Sequence, residues 1–214
     1  MSEILLHSYW RSSAAYRVRI ALNLKGLLYR QITHDLRAGA QRRHDYLAIA
    51  PHGLVPAIEY EGRSIIESMA ILEWLETRWP APPLLPADPD EAAIVRSMAA
   101  LIGCDIHPLN NLRILNTLRA DLAASPGQVQ AWASHWISDG FAALETLIVQ
   151  HGGVYAFGDG PTLADCYLVP QIYSARRFGV DLSAYPRLVA AGEAAGRLPA
   201  VMAAHPDRQP DADP

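Results

Sequence analysis

Cysteine is nearly absent from this chain: Cys104 and Cys166 are the only two in 214 residues. Two are too few for a disulfide framework. Both fall in apolar helical patterns, so buried free thiols are expected. Strong charge of either sign is missing as well. A net charge of −4 leaves no basic footprint for nucleic acid. No apolar run is expected to reach membrane-spanning length, and the N-terminus opens on a strand pattern without the apolar stretch of a signal peptide. There is no internal repeat, no extended low-complexity segment and no Cys/His cluster at metal-ligand spacing, so neither a metal nor a membrane is expected. These absences point to a reducing cytoplasm. What is present is half hydrophobic residues and 19% charged ones, enough for one or two packed domains.

The stretch from Trp10 to Leu22 organises the chain. A short apolar run, Ile4-Leu5-Leu6, precedes it and reads as a strand. Ser12 and Ser13 are N-cap residues. Ala14, Val18, Ala21 and Leu22 then recur at helical spacing, and Gly26 is a natural stop. A helix N-terminus carries unpaired N–H groups and a positive dipole end, so it favours an anion, including a thiolate. Plain capping is the other reading of the two serines.

Leu28–Thr33 reads as a second strand, parallel to the first across the intervening helix. Residues 35–50 carry a weak helix. A loop from Ala50 to Pro56 leads into Ala57–Tyr60, and a tight turn at Glu61-Gly62 returns as Ser64–Ile66. A helix then runs from Met69 to near Trp79. The order β-α-β, weak α, β-β-α is that of a thioredoxin-like sheet. Pro56 suits either a cis bond at a tight turn or a trans proline opening a strand.

Pro80 to Asp90 holds five prolines, Pro80, Pro82, Pro83, Pro86 and Pro89, and reads as a linker. Only helical patterns follow: 91–119 with a kink at Pro108, 128–150, a third from the capping-box sequence Thr162-Leu163-Ala164-Asp165 to Phe178, and 186–204. The tail from Pro206 reads as loose. The fold class is α/β plus all-α. Residues 1–80 form a thioredoxin-like domain, 81–90 a linker and 91–214 an all-helical domain.

That plan resembles the cytosolic glutathione transferases. Ser12-Ser13-Ala14-Ala15-Tyr16-Arg17-Val18-Arg19-Ile20-Ala21-Leu22 is similar to the signature of their zeta class, usually written SSCxxRVRIAL. Pro51 to Pro56, Glu67 to Glu73, Gly158 to Gln171 and Phe178–Leu182 with Tyr185-Pro186 agree with it, so the match spans nearly the whole chain. The resemblance implies a glutathione-dependent cis–trans isomerase of maleylpyruvate or maleylacetoacetate, working in the cytoplasm as a homodimer. A transferase acting on small α-haloacids and a non-catalytic binding protein are the alternatives.

The resemblance also implies roles. Ser12 holds the glutathione thiolate, with Ser13 beside it and Arg11 abutting the loop as a second catalytic residue. The motif's cysteine is Ala14 here, so a thiol at that position is not required. Gln41, Val55, Glu67 and Ser68 take the tripeptide: Val55 by its backbone, Glu67 and Ser68 at the γ-glutamyl end, Gln41 at the glycyl end. His107, Asn111 and Arg113 join them from the helical domain, His107 and Asn111 sharing a helix face. Arg11, Arg113 and Arg177 take the carboxylates of a diacid, with Arg176 as the alternative to its neighbour.

Overall fold

Ile4–Ser8 forms β1, Tyr29–Thr33 β2, Ala57–Tyr60 β3 and Arg63–Ile66 β4, in the order β2-β1-β3-β4. The structure, a computed structural model, describes residues 2–213. β1 runs parallel to β2 and antiparallel to β3, and β3 pairs antiparallel with β4. The expected thioredoxin-like sheet is therefore present. The chain divides into two compact units, Met1–Leu84 with Arg197–Pro214, and Leu85–Gly196.

In the first unit, α1 (Ser13–Leu24) packs against α3 (Ser68–Arg78). Ser12 caps α1. Gly26, at φ +65°, ends it: Leu27 N–H donates to Leu22 O at 2.9 Å and Gly26 N–H to Asn23 O at 3.1 Å. This left-handed cap needs the glycine read as the stop. Lys25 Nζ donates to the carbonyls of Trp79 and Pro82 at 2.7 and 2.9 Å and pairs with Glu76 at 2.7 Å. A buried ammonium with three acceptors fastens the start of the linker. In place of one weak helix over 35–50 there are two short pieces, a 3₁₀ turn Ala40–Arg42 and α2 (His44–Leu47).

The first unit also takes the C-terminal segment from Arg197, expected in the helical domain 91–214. The expected helix over 186–204 is two, α8 (Pro186–Gly196) and α9 (Pro199–Ala203), and α9 packs on α1. The tail expected to be loose forms a 3₁₀ turn, Pro206–Arg208, and Gln209 beyond it is buried.

The second unit contains α4 (Pro89–Ala100), α5 (Leu112–Ala120), α6 (Pro126–His151), α7 (Leu163–Arg177) and α8. The long helix with a kink expected over 91–119 is instead broken into different helical types. A π-helical turn, Leu101–Ile106, and a 3₁₀ turn, His107–Asn110, separate α4 from α5. Pro108 lies in the 3₁₀ turn, where its missing N–H costs no α-helical bond. Taken end to end, Pro89–Ala120 is long and apolar enough to cross a membrane by length and composition alone. This corrects the expectation that no run reaches that length. The run is not one continuous α-helix, however, and α4 packs against α7 inside its unit. Cys166 is buried as expected, but Cys104, on the π turn, is exposed.

Candidate active site

The sheet register sets the site in the first unit. His7 of β1 stands opposite Ala57 of β3, and Ala57 stands opposite Ile66 of β4. Given the strand directions, the chain leaves β1, enters β3 and leaves β4 at one end of the sheet. The turn to Ser12, the Val55-Pro56 peptide and the Glu67-Ser68 junction therefore lie at that same end.

Ser12 is half-buried, while Ser13 and Ala14 are buried. Ser12 N–H donates to Tyr9 O at 3.0 Å, and its Oγ accepts from Ala15 N–H at 3.2 Å. The hydroxyl thus caps α1 while standing at the helix's positive end. Arg11 is half-buried, its guanidinium 5.3 Å from the centre of the Trp10 ring. The Val55-Pro56 bond is cis. Tyr46 OH donates to Leu54 O at 2.6 Å, one residue before Val55. Burial pushes that phenol up, so it stays a donor.

Gly53, at φ +62°, lets this loop close on the 40–42 turn. A Cβ there would lie 2.9 Å from Arg42 Nη1 and 3.1 Å from the Gln41 carbonyl. Gln41 is half-buried, and its Oε1 and His52 Nδ1 are buried with no hydrogen-bond partner among the described residues. Glu67 stands at φ +68°, ψ 122°, a conformation uncommon for a side chain of its size. Its carboxylate is exposed and 3.5 Å from His52 Nε2. No side chain caps α3, so its first N–H groups keep their donors for another acceptor. Ser68, its first residue, is buried and accepts from Arg17 Nη1 at 3.1 Å.

In the second unit His107 opens the 3₁₀ turn and is half-buried. Asn111 caps α5, its Oδ1 accepting from the N–H of exposed Arg113 at 3.1 Å. The shared helix face argued for His107 and Asn111 is corrected: no α-helix joins them, and Asn111 at ψ 145° is extended. Arg176 and Arg177, both exposed, diverge. Arg176 reaches toward Glu193 at 3.8 Å, whereas the Arg177 guanidinium lies 5.9 Å from the ring centres of both Tyr173 and Phe178.

The sequence reading missed the residues that hold this site in place. Arg17 and Arg19 lie within the class signature, yet only their burial, 2% and 0% exposed, reveals what they do. Tyr46 was visible only as the apolar side of a weak helix.

A family model described as the glutathione S-transferase N-terminal domain matches residues 11–78, and one described as the C-terminal domain matches residues 113–190. The chain is similar to the maleylpyruvate isomerase of a Ralstonia species, 49% identical over 208 residues that cover 96% of this chain and 98% of that protein. Among solved structures, a holo maleylpyruvate isomerase described as a bacterial zeta-class glutathione transferase matches with a TM-score of 0.96 at 48% identity, covering 98% of this chain and 100% of that one. The maleylacetoacetate isomerase of Anaeromyxobacter dehalogenans 2CP-1, with dicarboxyethyl glutathione and citrate in its active site, matches at 0.90 and 46%, covering 100% and 99%. A near-complete match in sequence and fold, on a chain that carries the class signature at the start of α1, leaves one assignment: the chain belongs to the glutathione S-transferase family, in its zeta class.

Proposed function

We propose that this chain is a glutathione-dependent cis–trans isomerase that converts maleylpyruvate, or maleylacetoacetate, to the fumaryl isomer. The observation that carries the reading is the gathering of Ser12, Val55 and Glu67-Ser68 at one end of the sheet, in a chain close to half identical to isomerases of both names.

The residues fit glutathione. Its γ-glutamyl carboxylate suits the Ser68 hydroxyl and the uncapped N–H groups of α3. The Glu67 carboxylate suits its ammonium, and the buried Gln41 Oε1 and His52 Nδ1 offer polar atoms not otherwise used among the described residues. Val55 takes the cysteinyl part by its backbone.

When bound, glutathione supplies a sulfur nucleophile that adds reversibly to the activated double bond. Ser12 holds that sulfur as thiolate. A free thiol with a pKa of ~8.5 is mostly protonated at neutral pH; a hydroxyl donor and a helix N-terminus both lower it. Arg11 brings a cation that faces developing negative charge. Arg113 and Arg177 are matched to carboxylates by their forked donors. Arg176, 3.8 Å from Glu193, is the alternative to its neighbour. The positive charge of Arg113, with His107 on the same segment, favours the shorter diacid, maleylpyruvate. Cytoplasmic location and a homodimer belong to the same reading; light scattering at two concentrations tests the dimer.

The deciding experiment follows the ultraviolet absorbance of freshly made maleylpyruvate and maleylacetoacetate, with and without glutathione. Glutathione-dependent conversion to the fumaryl isomer is expected, faster for maleylpyruvate. No conversion of either, with glutathione still bound, overturns the proposal.

A further inference from the structure

The C-terminal segment is fastened to the loop that presents Ser12. Both backbone polar groups of Trp10 are held by charged side chains. The Trp10 N–H donates to Asp211 Oδ2 at 3.0 Å, across 201 residues of sequence. The Trp10 carbonyl accepts from Arg19 Nη2 at 2.9 Å. Arg19, with no exposed surface, also donates to Ser8 Oγ and to Ala204 O, each at 3.0 Å. One guanidinium thus joins the loop to the C-terminal segment through Ala204 O, and one carboxylate joins them through the Trp10 N–H.

Three further contacts keep Asp211 in place. Gln209 Nε2 donates to Ala203 O and His205 O at 3.1 and 2.8 Å, while its Oε1 accepts from Gln31 of β2 at 2.9 Å. Ala212 packs on the buried cluster formed by Tyr9, Trp10, Tyr46, Ala50, Val55 and Ala57. Asp213 pairs with Arg37, whose guanidinium lies 6.0 Å from the centre of the Tyr9 ring. The turn from Tyr9 to Ser12, closed by the Ser12 N–H on Tyr9 O, is therefore gripped at both peptide groups of its second residue.

We propose that Asp211 is a positioning residue for the reaction: through the Trp10 N–H it fixes the turn that sets Ser12 and Arg11. It touches no reacting atom and acts only through the loop. A charge-assisted bond to a backbone N–H is short and directional, which suits it to hold a turn that must not drift. Small displacements of a group that must meet a reacting atom are costly in rate.

The inference rests on the reading of Ser12 as the thiolate's partner, and the test separates the two. The apparent pKa of glutathione bound to the full-length protein is read from thiolate ultraviolet absorbance against pH, in wild type, Asp211→Ala and Asp211→Asn. Wild type is expected to hold the thiol well below its free value. Asp211→Ala should raise the bound pKa by about one unit, a tenfold loss of thiolate below that pKa. It should lower kcat about tenfold with a smaller change in KM for glutathione. Asp211→Asn keeps an acceptor oxygen and should recover most of the wild-type profile, which a simple loss of tail packing would not explain. A wild-type thiol that is not depressed overturns the Ser12 reading, and this inference with it. A depressed wild-type thiol that Asp211→Ala leaves unchanged overturns the inference alone. If Asp211→Ala does not fold, Arg37→Ala, an exposed change that frees Asp213, should raise the bound pKa by a smaller amount. An unchanged profile there also overturns the proposal.

Discussion

Arg17 Nη1 donates to Ser68 Oγ at 3.1 Å, with both side chains buried. The bond ties α1, which Ser12 caps, to the N-terminus of α3. The two helix ends proposed to hold the sulfur and the γ-glutamyl carboxylate are thereby fixed relative to each other. It also orients the Ser68 hydroxyl as an acceptor from Arg17, leaving its own proton for a ligand. Arg17→Met removes the donor but keeps the buried volume. Losing a hydrogen bond to a charged group costs about 1.5–3 kcal/mol, so KM for glutathione should rise about tenfold or more. Arg17→Lys should recover only part, since an ammonium lacks the guanidinium's planar fork. Initial rates against glutathione concentration check this; an unchanged KM in Arg17→Met would refute it.

Ser12→Ala should act on the thiol's ionisation rather than on tripeptide binding. The hydroxyl contributes one donor to a thiolate, on the order of 1.5–3 kcal/mol, so the bound thiol's pKa should rise by about one to two units. At neutral pH the isomerisation rate should fall about tenfold to hundredfold, and raising the pH should restore part of it. The lost cap at Ala15 N–H costs stability as well, about 1 kcal/mol. A rate that falls equally at every pH would remove the thiolate role from Ser12.

The first unit was largely legible because its signals are local. Ser12 followed by helical spacing and Gly26 marks α1, and Glu61-Gly62 between two short runs marks the β3–β4 turn. The helices misled where a proline was not read as a start. Pro89 and Pro126, ahead of the expected helix starts, and Pro199, inside an expected helix, each stand first in a helix, where a missing N–H costs nothing and the fixed φ fits; Pro186 stands first as expected. Asp88 and Ser125 cap the first two, so the capping signals were there to be read with the prolines. The π turn at Leu101–Ile106 leaves no mark in apolar spacing. The tail was unreadable for another reason: Asp211 and Asp213 act on Trp10 and Arg37, and pairings at that separation have no period. His107 and Asn111 failed as a pair because a face argument presumes one continuous helix.

Gly140 of α6 faces Ile106, the last residue of the π turn. A Cβ at Gly140 would overlap the Ile106 Cγ1 and Cδ1 atoms, and Ile106 is fully buried. Gly140→Ala should therefore destabilise the protein by about 1–3 kcal/mol, the usual cost of overpacking, although alanine is the better helix former by about 1 kcal/mol. Ile106→Val added to Gly140→Ala removes Cδ1 and should recover part of the loss, leaving a coupling above about 0.5 kcal/mol. Urea unfolding of the two single variants and the double closes the cycle. Additive losses would mean the side chains do not meet.

Asp165 gives a pH dependence whose sign can be worked out. Its carboxylate is buried, with Oδ1 accepting from Ala156 N–H at 3.0 Å and Oδ2 from the Thr162 N–H and hydroxyl at 2.8 and 3.1 Å. Burial outweighs these donors and pushes its pKa from 3.8 up to about 6. Between those values the folded state holds a proton that the unfolded chain has released. The stability this group contributes is therefore present in full below the unfolded value and is lost as pH rises through about 6. Asp165→Asn removes the titration but keeps an acceptor. The margin of wild type over Asp165→Asn should thus be largest near pH 4 and shrink by pH 7, by on the order of 2–3 kcal/mol. Urea midpoints for both proteins across that window measure it. A margin that widens with pH would show that the three donors dominate and that the carboxylate is buried in its charged form.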